Sequence, residues 1–245
     1  MKFVVYREIF NKMPREIVPF DRISSSVEIN KIFLIAAEGS KTEYLYLSAL
    51  NEKHGRICRL LPFQRPKEEA SHSAPNRVLG QLKREAGRAN LKEGDSCWLV
   101  VDRDSWGQVL IDAVRDCKTL QYNPIVSAPC FEIWLVFYFK KLVELTEEEK
   151  AQLILNGDVS NRYKYIEKFL TNIMKQLKLG KYKANHTLPD FFFIPSNIQK
   201  AIDEAYAIEK MEMENNESYE FPIMLGSQMY QMLSLFFTEN EITLN

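Results

Sequence analysis

The sequence predicts an α/β protein with a parallel-sheet core that carries helices on both faces, followed by a mostly helical C-terminal part. In the first part, apolar strand-like runs alternate with helical segments of about a dozen residues, which is typical of βαβ units. These runs are apolar throughout rather than alternating, as expected for strands that are covered on both faces. After residue 143 the apolar residues recur with helical spacing instead.

The elements follow one another from Lys31 onward, after a lead-in segment (1–30) that shows no clear pattern. The predicted strands are KIFLIAA (31–37), ICRLLPF (57–63), CWLVVD (97–102) and YNPIVSA (122–128). The predicted core helices span 41–54, 75–92, 108–120 and the apolar run CFEIWLVFYFKKL (130–142). We therefore predict a core over 31–143 and a helical region over 144–245, packed on the core because no linker separates them.

Composition limits the classes of function. The chain has 245 residues, of which 46% are hydrophobic, and a net charge of -1 with a pI near 6.4. A nucleic-acid partner would therefore have to be bound through local basic patches. We find no apolar run of about 18 residues and no signal-peptide pattern. Four cysteines without a CxxC pair suit a reducing compartment. We therefore expect a cytoplasmic protein without a membrane partner, and the sequence leaves a homo-oligomer open.

Acidic residues follow three of the predicted strands. Glu38 comes directly after the first, Asp102 and Asp104 close the third, and Glu132 follows the fourth. Because the carboxyl ends of parallel strands meet at one edge of the sheet, we expect these four carboxylates to gather there. Oxygen-only ligands suit Mg²⁺ or Mn²⁺, which can activate water against a phosphodiester. The sequence thus predicts a metal site formed by Glu38, Asp102, Asp104 and Glu132.

Each acid also has a structural interpretation. Ser40 and Glu43 have the spacing of a capping box, so we interpret Glu43 as a helix-start residue. Glu38 and Glu132 could simply favour a helix N-terminus, and Asp-x-Asp is common in loops. The placement of the four acids together supports the metal site more than any one of them does.

Other kinds of site fit less well. The EGSKT stretch has Lys-Thr after a strand but lacks the glycines of a phosphate-binding P-loop. No GxSxG is present, and Cys130 has no neighbouring histidine in the sequence. Basic residues could hold a polyanion, namely Arg77, Arg84 and Arg88 on one helical face and Lys181 and Lys183 on either side of Tyr182. For the arginines we favour a solvated helix face.

The motifs EGSKTE (38–43), VVDRDSW (100–106) and SAPCFEIWLVFYF (127–139) resemble, in that order, those of the RloB-like family of phage-defence proteins. The Glu and the Asp-x-Asp pair are similar to those of the Toprim fold, whose members bind Mg²⁺ to break or join phosphodiesters. The resemblance implies a Toprim-like core, a role in abortive infection and an ATPase partner. Ala128 stands where the family has Asn, and Tyr138 and Tyr230 stand near positions where it has histidines, so any proton-transfer role of those histidines is absent or moved here.

We therefore expect a Mg²⁺-dependent nuclease that acts on RNA, tRNA included, or on DNA. Glu38, Asp102, Asp104 and Lys41 are the predicted catalytic residues. The predicted substrate-binding residues are Lys181, Lys183, Arg103, Ser127, Arg84 and Arg88. A non-catalytic module that binds a partner ATPase, and a primase-like nucleotidyl transferase, are the alternatives.

Overall fold

A five-stranded sheet forms the centre of the protein, in a computed structural model that describes residues 31–39, 41–64, 73–103, 106–160 and 163–244. Its strands are β1 (Lys31–Ala37), β2 (Cys58–Phe63), β3 (Ser96–Asp102), β4 (Asn123–Ala128) and β7 (Gly226–Ser227). Their order in the sheet is β2-β1-β3-β4-β7; the first four are parallel, and β7 runs antiparallel to β4. The predicted mixed α/β architecture with a mostly parallel sheet is confirmed.

Helices cover both faces of this sheet, as the apolar strands require. One face carries α2 (Pro75–Arg88) and α3 (Gln108–Thr119), which enclose a smaller cluster of buried apolar side chains. The other face carries α1 (Thr42–His54), whose Tyr46, Leu47 and Leu50 enter a larger cluster. Alternate side chains of a strand point to opposite faces, so Phe33 and Ile35 join the larger cluster while Leu34 joins the smaller one.

The C-terminal part continues the larger cluster and adds β7 to the sheet. Its elements are α5 (Glu147–Leu155), the hairpin β5 (Asp158–Ser160) and β6 (Tyr163–Lys164), α6 (Tyr165–Gln176), α7 (Pro195–Asn215) and α8 (Met229–Glu239). The larger cluster contains side chains from both sides of residue 143. The domain boundary that we place there therefore stays a prediction, and the predicted lead-in segment lies outside the described residues.

One predicted helix is much shorter than its sequence suggested. The apolar run 130–142 forms only α4 (Glu132–Val136) before the chain turns. The aromatic rings beyond α4 pack on the segment near residue 191. The ring centroids of Phe139 and Phe191 lie 5.0 Å apart in a stacked pair, and those of Tyr138 and Phe192 lie at the same distance. Packing between aromatic rings here prevails over the helical tendency of the run.

Asn240, just after α8, ties the C-terminus to the start of β2. Its Oδ1 accepts hydrogen bonds from the backbone N–H groups of Arg56, Ile57 and Cys58, at 2.7 to 3.1 Å. Its amide donates to the carbonyls of Cys58 and Phe236. A buried amide whose bonds are all satisfied holds this junction in one arrangement. None of the helices within the described residues is long and apolar enough to cross a membrane.

Candidate active site at the carboxyl edge of the sheet

Two neighbouring central strands bring Glu38 and Asp102 together. The register pairs Ala37 with Val100, so Glu38 follows β1 at the level where β3 ends, and its N–H donates to the Val100 carbonyl at 2.8 Å. The backbone N–H of Asp102 donates to Glu38 Oε2 at 3.0 Å, and the Trp106 indole donates to Glu38 Oε1 at 3.0 Å. Glu38 is 8% exposed. The residues at and after the end of β3 thus fix the Glu38 carboxylate at this edge.

Glu43, in the first turn of α1, reaches the same edge. It is 4% exposed, and its Oε1 accepts the N–H of Gly39 at 2.9 Å. A Cβ on Gly39 would lie 1.8 Å from Glu43 Oε2, so only glycine leaves room for this carboxylate. The helix N-cap is Lys41, and the predicted cap Ser40 lies outside the described residues. Glu43 therefore accepts a backbone N–H from before its helix, as a capping residue does. Its carboxylate also belongs to the candidate site.

Glu132, the first residue of α4, is held by a residue distant in sequence. The Tyr182 hydroxyl donates to Glu132 Oε1 at 2.8 Å. Three residues further on, the N–H of Asn185 donates to Thr42 Oγ1 at 2.9 Å. These two bonds place the segment 181–185 against α4 and the first turn of α1, and so beside the acidic edge.

We call Glu38, Glu43, Asp102 and Glu132 the acidic edge. Burial raises the pKa of Glu43 from 4.5 to about 7, and the charges of Glu132 and Glu38 add to the effect. Burial also raises the pKa of Asp102 well above its usual range, reinforced by the charges of Glu43, Glu38 and Glu132. The Phe131 N–H partly offsets this by donating to the Asp102 carboxylate. The four carboxylates therefore repel one another in a poorly solvated place.

A cavity of about 490 Å³ opens beside this group. Asp102 and Glu132 line it, together with Lys164 and Glu167, whereas Glu38 and Glu43 are not among its lining residues. Burial, followed by the charges of Glu132 and Asp102, raises the pKa of Cys130 in the same wall well above its usual range. A thiol that stays protonated is a poor nucleophile, so the chemistry of this cavity depends on its carboxylates.

The donor set suits a hard divalent cation, because all its ligand atoms are oxygens and their mutual repulsion would be relieved by positive charge. Within the parts of the chain that the structure describes, no three His, Cys, Asp or Glu side chains are already arranged as a metal site. Glu38 uses both its oxygens as acceptors, although each keeps a second lone pair. Asp104, the fourth predicted ligand, lies outside the described residues.

The structure brings some of the predicted substrate-binding residues to this edge. Lys181 and Lys183 are exposed, and they lie on the segment that Tyr182 fixes to Glu132. Lys41, predicted as catalytic, is exposed at the start of α1, two residues before Glu43. Tyr182 itself is 2% exposed, so its ring is not free to stack on a base.

Other predicted residues lie elsewhere. Arg84 and Arg88 are exposed near the end of α2, where the chain returns toward the start of β3, and so lie at the opposite edge of the sheet from the carboxylates. Arg88 pairs with Glu85 at 3.0 Å. Ser127 is 1% exposed, and its hydroxyl is bonded to that of Ser227 at 2.8 Å, so it belongs to the contact between β4 and β7.

Arg103 directly follows Asp102 but is turned toward α7. Its N–H donates to the Ser127 carbonyl at 2.8 Å, and the residue is half-buried. Burial raises the pKa of Glu212 in α7, and the charge of Arg103 offsets part of that rise. Arg103 therefore lies close enough to α7 to neutralise an acid there.

Sequence reasoning overlooked two features of the site. Glu43 was explained by helix capping, although it closes the same EGSKTE motif that begins with Glu38. The sequence singles out Tyr182 only as the residue between Lys181 and Lys183, whereas in the structure its hydroxyl orients Glu132. A buried tyrosine and the acid it holds are 50 residues apart, and no local pattern links them.

The fold and the site together define an α/β protein with a cluster of buried and half-buried carboxylates at the carboxyl edge of its sheet. The family model of RloB-like proteins matches residues 33–235, which is most of the chain. The protein therefore belongs to the RloB-like family. No curated protein and no solved structure matches the chain significantly.

Proposed function

We propose that the protein is a metal-dependent nuclease with a Toprim-like core, acting as an effector of phage defence by abortive infection. The observation that carries this proposal is the convergence of four carboxylates from β1, α1, β3 and α4 on one edge of the sheet. The charges of neighbouring acids in this group help to raise the pKa of both Glu43 and Asp102, and a bound cation would relieve that repulsion. Carboxylates grouped in this way are typical of sites that bind Mg²⁺ or Mn²⁺.

Glu38, Asp102 and Glu132 would hold the ion, with Glu43 beside them and Asp104 added from the sequence. The ion, when bound, would polarise a phosphodiester and favour a nucleophilic water. Tyr182 keeps Glu132 oriented, and the Asp102 N–H and Trp106 indole keep Glu38 oriented. Lys41 and Lys183, both exposed, would attract the phosphate. RNA, including tRNA, and DNA are both candidate substrates, and the family makes an ATPase partner a candidate too.

Inducible expression, followed by sequencing of the RNA and DNA ends that accumulate, tests this proposal. Asp102→Asn is the decisive variant because an Asn Oδ1 can still accept the Phe131 N–H while the charge is lost. We expect the wild type to produce new ends and arrest growth, and Asp102→Asn to do neither. Glu93→Gln is the matched control, since Glu93 is exposed in the loop before β3, at the opposite edge. Equal cleavage and toxicity in all three proteins would refute the proposal.

A second candidate, a non-catalytic module that binds a partner ATPase, is favoured by one observation. Both oxygens of Glu38 already accept hydrogen bonds from the protein, so the residue also has a structural use. Such a module would bind no Mn²⁺ that depends on Asp102. Calorimetric titration with Mn²⁺ therefore separates the two candidates.

A further inference from the structure

A second cavity, of about 390 Å³, has Tyr182 among its lining residues. Four lysines line it, two from α6 and two from the segment that follows it. We call it the lysine cavity, and its lining residues are Val159, Ser160, Tyr163, Lys168, Thr171, Asn172, Lys175, Lys181, Tyr182 and Lys183. This lining contains no acidic side chain, in contrast to the cavity at the acidic edge.

The sequence of α6 builds one wall of this cavity. Lys168, Thr171, Asn172 and Lys175 stand at positions i, i+3, i+4 and i+7, which share one face of a helix. The opposite stripe, Ile166, Leu170 and Met174, is buried in the larger cluster. Two ammonium groups and an amide that can donate hydrogen bonds therefore stand along the cavity, while the Thr171 hydroxyl between them donates to the Tyr182 carbonyl at 3.3 Å.

The four lysines bring several positive charges to one recess. Across the described ranges, none of Lys168, Lys175, Lys181 and Lys183 makes an ion pair with a carboxylate. Like charges that converge without a partner repel one another, and an anion would relieve that repulsion. The recess is concave, so a ligand phosphate could meet several ammonium groups at once.

Tyr182 connects this cavity to the acidic edge. Tyr182 is one of the residues that line the lysine cavity, and its hydroxyl donates to Glu132 Oε1 at 2.8 Å. Glu132 in turn lines the cavity at the acidic edge, so one hydrogen bond links a residue of each cavity. A strand whose scissile phosphate lies at the acidic edge would place an adjoining phosphate among the lysines.

We propose that the lysine cavity binds the backbone phosphates of a single-stranded nucleic acid beside the phosphodiester that is cleaved. The position beside a cleaved phosphodiester rests on the proposed nuclease function, whereas the binding of phosphates does not. A recess of about 390 Å³ is large enough for part of one strand and far too small to enclose a double helix. Basic grooves that follow a backbone are the usual means of binding single strands without sequence preference.

Fluorescence anisotropy of labelled 12-nucleotide oligo-U RNA and oligo-dT, in EDTA, tests the binding without requiring cleavage. We compare the wild type with Lys168→Gln/Lys175→Gln and with a matched control, Lys83→Gln/Lys118→Gln. The control lysines are exposed on α2 and α3, on the opposite face of the sheet, and the same charge is removed. Thermal unfolding of each variant verifies that it is folded.

For four phosphate contacts, log affinity should fall with log salt at a slope of about −3, so that affinity drops roughly 50-fold between 50 and 200 mM salt. The cavity variant should bind about tenfold more weakly at 50 mM salt, with a slope shallower by about 1.4, while the control keeps the wild-type slope. Equal affinities and slopes in the cavity variant and the control would overturn the inference.

Two further probes decide what kind of phosphate is bound. A duplex of the same length that shows the same lysine dependence would overturn the single-strand assignment, as would binding that requires a terminal phosphate. If the lysines control binding but the wild type cleaves nothing in Mg²⁺ or Mn²⁺, the binding site stands and the nuclease proposal fails. If the wild type cleaves and the lysines do not affect binding, the nuclease proposal stands and this inference fails.

Discussion

Glu43 offers the sharpest test of the electrostatics at the acidic edge, through the substitution Glu43→Gln. The glutamine has the same shape, its Oε1 can still accept the Gly39 N–H, and its amide can donate to neighbouring carboxylates. The pKa of Glu43 is raised from 4.5 to about 7 by burial and by the charges of Glu132 and Glu38. At about 1.4 kcal/mol per pKa unit, ionising Glu43 costs the folded protein about 3 kcal/mol.

The sign of the pH dependence follows from this raised pKa. Between pH 4.5 and 7 the folded state binds the proton more tightly than the unfolded state, so stability falls as the pH rises through this window. Above pH 7 the full cost is present, and near pH 5 only about 1 kcal/mol of it remains. Glu43→Gln should therefore stabilise the metal-free protein by about 3 kcal/mol at pH 8 and by about 1 kcal/mol or less at pH 5.

Thermal unfolding in EDTA at both pH values measures this difference. A gain of about 3 kcal/mol corresponds to a rise in Tm of roughly 6 to 12 °C for a chain of this size. Glu52→Gln, an exposed acid on the same helix, is the matched control and should change Tm little at either pH. The reasoning is refuted if Glu43→Gln unfolds at or below the wild-type temperature at pH 8, or if its shift is the same at both pH values.

Three further substitutions test other parts of the structure. Gly39→Ala puts a Cβ 1.8 Å from Glu43 Oε2, so it should displace that carboxylate, and the wild-type fall in Tm between pH 5 and 8 should shrink. Tyr182→Phe removes a 2.8 Å hydrogen bond to the α4 carboxylate and should cost about 1 to 3 kcal/mol in urea unfolding, together with weaker Mn²⁺ binding by calorimetry. Asn240→Ala leaves three backbone N–H groups at 56–58 without their acceptor and should cost about 2 to 4 kcal/mol, whereas unchanged urea unfolding would contradict that role.

The sheet could be predicted from the sequence because its strands are apolar throughout and are separated by helical segments. The predicted bounds of β1 match the structure, and those of β2, β3 and β4 differ by one residue at most. β7, by contrast, has two residues and no apolar pattern. Gln228, directly after it, fastens it to β4, because the Gln228 N–H donates to the Val126 carbonyl and the side-chain Oε1 of Gln228 accepts the Val126 N–H. Such a short strand forms only because it pairs with a neighbouring strand, so its own residues do not predict it.

The acidic edge was partly predictable for a related reason. Parallel strands place the residues that follow them at a common edge, and this rule alone predicts that Glu38, Asp102 and Glu132 lie close together. The rule does not cover Glu43, which comes from a helix, or Tyr182, which arrives from the C-terminal part. Only part of the lysine cavity could be predicted. Lys181 and Lys183 stand close together in the sequence, whereas Lys168 and Lys175 join them in the lining only through the folding of α6.

The most direct test of the account is calorimetric titration of Mn²⁺ into the wild type, Asp102→Asn and the control Glu93→Gln at pH 7.5. If the acidic edge is a metal site, the wild type and Glu93→Gln will show a saturable binding heat, and Asp102→Asn will show that heat abolished or its affinity reduced by at least tenfold. A wild type without saturable binding, or an Asp102→Asn protein that binds Mn²⁺ as the wild type does, would contradict the account.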